Sequence, residues 1–168
     1  DAFIKTWHMA DRISEGYYVA DLITEVLGGG GSSRLYQRLV KEQQLFTNID
    51  CYHFGSVEPG LLTIDGKLVR GVSAVQNEIQ LMMNEKISDH ELQKVKNKTE
   101  SVITFEDMSL MNRANSLAFY ELLGDAQMMN TELGRYHQVT ASDILNYANE
   151  IFREENSHTL YYLSKQAS

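Results

Sequence analysis

The stretch "LGGGGSSRLYQRLV", residues 27–40, decides how this chain is read. Four consecutive glycines pass into two serines and then into an amphipathic pattern. Three readings compete: a phosphate-binding loop, a linker between domains, or a tight joint inside one domain. A phosphate loop of the G-x-x-x-x-G-K-[ST] type needs a strand before it and a lysine at the start of the next helix. Here Gly31 is followed by Ser32, Ser33 and Arg34, and the preceding segment has helical period. In "SEGYYVADLITEVLG" (14–28), Tyr18, Leu22 and Val26 form one apolar stripe and Val19, Ile23 and Leu27 a second beside it. A dinucleotide-binding loop would also follow a strand. Regular structure on both sides argues against a linker. What remains is a helix-to-helix joint. Glycines supply a C-cap and close backbone approach, and Ser32 or Ser33 caps a second helix over 32–44 that turns Leu35 and Leu39 inward.

Outward from this joint the pattern alternates in blocks. "AFIKTWHM" (2–9) has period two and predicts a strand. Further strands are predicted over 45–55 and 60–71, joined around the turn signal Pro59-Gly60. Helices are predicted over 73–86, with Val75, Ile79 and Met82 on one face, and from Ser88 to about residue 105. Ser88-x-x-Glu91 reads as a capping box, and Leu92, Val95, Val102 and Ile103 are the apolar positions behind it. Helices over 108–125 and 139–152, the second opened by Thr140 with Asp143 in its first turn, precede a closing strand over 157–165. The order β-α-α-β-β-α-α-α-α-β predicts an α+β fold, a two-layer sandwich of a mainly antiparallel sheet covered by helices. It is expected to be a single domain over residues 1–168, a fragment of a longer chain because it begins at Asp1.

With 168 residues, 43% of them hydrophobic, the chain can build a sizeable core. A net charge of −8 argues against nucleic-acid binding, which needs clustered Lys and Arg. No apolar run approaches the roughly 20 residues of a membrane span. The single cysteine, Cys51, excludes an internal disulfide and reads as a buried strand thiol. The compartment stays open between a bacterial cell envelope or periplasm and the cytoplasm. The five histidines, His8, His53, His90, His137 and His158, show neither H-E-x-x-H nor H-x-x-E-H, so no helix turn offers two imidazoles to one zinc ion. There is no G-x-S-x-G. No catalytic residue and no metal ligand is expected in this chain.

"VLGGGGSSRLYQRLVKEQQL" resembles the pitrilysin/insulinase family of zinc metallopeptidases, which includes the mitochondrial processing peptidases. The glycines Gly28, Gly29 and Gly30 with Ser32, Ser33, Arg34 and Leu35 form the family-type motif. "ISDHELQKVKNK" is similar to the family's E-L-x-x-x-K helix start, and "LGD" (123–125) followed by "VTASDILNYANEIF" resembles its L-G-D and V-T-x-x-D-I elements. The resemblance implies homologous halves. One carries H-x-x-E-H; the other closes over the peptide substrate and holds no metal. This chain matches the second, C-terminal type. It implies no cofactor here, zinc on a catalytic domain of the same chain or of a partner subunit, and a role in enclosing and binding peptide. Active second halves commonly place an Arg and, seven residues later, a Tyr near the zinc. Val40 and Thr47 stand at those positions, with Arg38 and Tyr52 nearby. Arg38, Thr47 and Tyr52 are therefore the candidate substrate-binding residues. The alternatives are a structural or assembly subunit of the same fold, and a small-molecule or nucleotide binder using the glycine loop.

Overall fold

The computed structural model describes residues 1–69, 71 and 73–164. Four strands form one antiparallel sheet in the order β2-β3-β1-β4: β1 (Ala2–Met9), β2 (Phe46–Phe54), β3 (Gly60–Leu68) and β4 (Ser157–Tyr162). The first and last strands of the chain are neighbours, Ala2 lying opposite Tyr162. Alternation along each strand makes two unlike faces. Phe3, Trp7, Met9, Ile49, Cys51, Leu62 and Ile64 point inward and are buried. Tyr52, Phe54, Leu61 and Leu160 stand on the opposite face, which no helix of the described residues covers.

The inner face is closed by α1 (Glu15–Gly28), α2 (Ser73–Asn84) and α6 (Ala141–Ile151). All six residues of the two predicted α1 stripes are buried. So are Val75, Ile79 and Met82 of α2. Three more helices, α3 (Asp89–Asp107), α4 (Leu110–Leu122) and α5 (Met128–Gln138), build out from this layer. The expected α+β architecture is the observed one. Arg70, at the end of the predicted third strand, and Lys165, at the end of the predicted fourth, lie outside the described residues.

Three local expectations differ from the structure. The helix expected over 32–44 is a π-helical turn over Tyr36–Glu42, entered through Arg34 and Leu35. Neither Ser32 nor Ser33 caps it through its side chain, and the Ser33 hydroxyl is buried without a partner. The Gln43 amide reaches back five residues to the Arg38 carbonyl at 3.0 Å, and Gln44, at φ 52°, turns the chain into β2. The second difference is α5, a helix where no regular element was expected. Among its residues only Tyr136 is buried, so its apolar positions form no stripe. The third is the far half of α3. Leu92 and Val95 are buried as predicted and Ile103 packs partly buried against the core, whereas Val102 is 48% exposed.

Candidate functional site

The candidate residues sit on different layers. Arg38, on the π-helical turn, donates through Nη1 to Oε2 of Glu78 on α2 at 2.7 Å. Glu78 is buried, and burial raises its pKa while Arg38 opposes the rise. Half-exposed Arg38 therefore has a structural duty: it neutralises a carboxylate inside the helical layer. Val40 packs partly buried against the core. Thr47 falls at a bulge in the β2–β3 pairing and is exposed. Tyr52 stands on the uncovered sheet face and donates to Oδ2 of Asp65 on β3 at 2.7 Å. Burial first, and Asp65 second, push its phenol up to about 12, so it is a neutral hydrogen-bonding group at neutral pH. Arg38 and Tyr52 thus belong to opposite sides of the sheet.

The glycine-serine-arginine motif is a joint built from distinct parts. A Cβ on Gly28 would lie 2.3 Å from the backbone nitrogen of Cys51, so hydrogen at this position lets the end of α1 rest on β2. Gly30 carries the positive φ, 92°, that turns the chain out of the helix. Arg34 forms a bidentate pair with Glu91 at the start of α3, Nε to Oε1 at 2.9 Å and Nη2 to Oε2 at 2.6 Å. The Glu91 carboxylate is thereby taken from the capping box. Ser88 Oγ still accepts from the Glu91 amide at 3.1 Å, but no return bond is made. Lys94 and Lys98 of α3 donate to the carbonyls of Ser32 and Gly29 at 3.0 and 2.8 Å. Lys96, buried with its pKa lowered by that burial, donates to the His137 carbonyl at 2.8 Å and so ties α3 to the end of α5. Two of the joint's carbonyls, those of Gly29 and Ser32, are thus occupied by lysines of the chain itself.

A second constellation escaped the sequence reading. Arg12, just before α1, is buried and donates to the hydroxyls of Tyr18 at 2.9 Å and Tyr120 at 2.6 Å, and to Glu132. Its guanidinium lies 4.3 Å from the centre of the Tyr17 ring. Burial acts to lower its pKa, but Glu132 and the surrounding phenols outweigh this and hold it raised. Beside it Asp21 accepts from Tyr136 Oη at 2.7 Å and pairs with His53 Nε2 at 2.9 Å. Arg12, Asp21, Tyr120, Glu132 and Tyr136 of this group line a groove of about 790 Å³ between α3, α4 and α5. The only hints in sequence were isolated polar residues within or beside apolar runs, scattered from Arg12 to Tyr136, and no local spacing joins them.

Chemistry within the chain is limited. The Cys51 thiol is buried and its pKa is raised by that burial. Among the described residues, no three His, Cys, Asp or Glu side chains are grouped so that they could hold a metal ion. No helix of the described residues is long and apolar enough to cross a membrane.

Comparison with known proteins fits this arrangement. Residues 2–99 match the family described as the peptidase M16 inactive domain, and the chain belongs to that family. The structure is similar to a protease from Helicobacter pylori, with a TM-score of 0.84 at 20% identity over 94% of this chain. It is similar to an inactive peptidase domain from Bordetella parapertussis, with a TM-score of 0.84 at 18% identity over 99% of this chain and 92% of that one. A chain of complex III2 from Candida albicans gives 0.74 at 15% identity, covering 94% of this chain and 42% of that one. The chain spans about 40% of the Helicobacter relative's length. No curated protein matches it.

Proposed function

We propose that this chain is one domain, the non-catalytic half of a zinc metallopeptidase. It would enclose a peptide opposite a zinc-bearing domain of the same chain or of a partner subunit. The observation that carries this reading is the match of residues 2–99 to a peptidase inactive domain. The Bordetella neighbour, whose parent is provisionally named a zinc protease, supports the choice of metal. In this reading hydrolysis would belong to the facing half, whose zinc would supply the Lewis acid that activates water. This half supplies a wall and polar contacts. Tyr52, whose hydroxyl donates to Asp65 and stays protonated, would accept from a peptide N–H through its free lone pairs, and Thr47 would offer a hydroxyl at the exposed bulge. Arg38, engaged by Glu78 on the other side of the sheet, would act by holding the helical layer behind that face.

The test is reconstitution with the H-x-x-E-H domain encoded in the same gene or beside it, assayed with zinc on a fluorogenic peptide library. Cleavage should require both components. Tyr52→Phe and Thr47→Ala should raise KM several-fold with kcat little changed. Cleavage that is indifferent to this chain would remove the proposal. A complex that forms but never cleaves would favour a structural or assembly subunit, the reading that Val40 and Thr47 at the Arg and Tyr positions support.

A further inference from the structure

We propose that the groove between α3, α4 and α5 docks an amphipathic helix from a partner protein, with Lys and Arg along its flanks. The inference stands apart from the peptidase reading, because it uses neither the sheet face nor the candidate substrate residues. The groove's apolar floor and walls come from Val102, Ile103, Leu117, Phe119, Met129 and Leu133. Val102 and Leu117 are 48% and 47% exposed, although a hairpin of two helices normally buries such positions. No α3 residue beyond Thr99 is buried, and α4 buries only Tyr120. This is a helical layer without its cover.

Charge selects the cover. The lining of the groove carries Asp21, Glu25, Glu106, Asp107 and Glu132 against Arg12, Lys98 and Arg113. Arg113 is itself 3.3 Å from Asp107. At the groove floor Arg12 and Lys98 are likewise occupied, by Glu132 and Glu25. A trough that mixes apolar side chains with more carboxylates than cations fits an apolar helix face flanked by Lys and Arg. The same surplus repels an anionic lipid surface and a second copy of this acidic chain. Apart from Arg12, just before α1, the lining comes from helices, so an extended peptide would find no strand edge to join.

The test uses an 18-residue synthetic peptide with leucines spaced three and four apart and lysines on both flanks, titrated calorimetrically into the folded chain at about 0.15 M salt. Saturable one-to-one binding is expected, weakened at least tenfold by Leu117→Asp and by Val102→Asp and unchanged by Leu160→Asp on the sheet face. Circular dichroism checks that each variant folds, and either groove variant suffices. Equal binding of a scrambled peptide, or of one with glutamates for lysines, overturns the proposal. So does binding that survives both groove substitutions, flotation of the chain with anionic vesicles, or a self-associated form that Leu117→Asp dissolves.

Discussion

At the scale of single residues, the glycine run shows how one composition conceals several duties. Gly28 is needed for space and Gly30 for conformation, whereas a Cβ on Gly31 would meet nothing nearer than the Tyr36 ring at 3.9 Å. Gly28→Ala should therefore force α1 off β2 and cost about 1–3 kcal/mol, the range for overpacking a filled site. Gly31→Ala should stay within about 0.5 kcal/mol of the parent. Urea unfolding of the two variants checks this; equal losses would mean that the run is generic flexible sequence. That glycines were needed here was legible. Which glycine served which purpose was not, because Cys51 arrives at Gly28 from a strand more than twenty residues away.

At the scale of elements, Arg34 and Glu91 decide how α3 meets the glycine joint. The hydrogen bonds from Arg34 chiefly lower the Glu91 pKa, with burial opposing them. A carboxylate whose folded pKa is lowered adds stability above its unfolded value, near 4.3, and that stability is lost as pH falls through the folded value. Glu91→Gln should cost about 1–2 kcal/mol at pH 7, the scale of a charge-assisted bond. The cost should shrink and vanish as pH falls through the lowered folded-state pKa of Glu91, where the parent loses the same charge. Parallel stability curves for parent and variant across that range would discard the pair as the cause. Elements with strong periods, β1, α1 and α2, were legible because their burial follows their own spacing. The π-helical turn was not, since Arg34–Glu91 and Arg38–Glu78 are long-range ties that reshape a segment patterned like an ordinary helix. Nor was α5, which is held by Lys96 of α3 at its His137 carbonyl and by its own Tyr136, bonded to Asp21 of α1.

At the scale of the whole molecule, the described structure divides into a sheet with a well-buried helical cover and an outer pair, α4 and α5, held by few contacts. The Arg12 cluster is the bridge between them, since one guanidinium bonds Tyr18 of α1, Tyr120 of α4 and Glu132 of α5. Tyr120→Phe keeps the ring and removes only the hydroxyl that accepts from Arg12 at 2.6 Å. A hydrogen bond to a charged group is worth about 1.5–3 kcal/mol, equivalent to roughly ten- to hundredfold in an opening equilibrium. Because Tyr120 is the only buried residue of α4, that loss should appear as local opening. Amide exchange over residues 110–122 should quicken by roughly that factor, while β1 and β3, each paired on both sides, keep their protection. Uniform quickening across the sheet and α4 would show that α4 opens only when the whole molecule unfolds. It would also deny the hairpin the independent mobility that a partner binding in its groove would suppress.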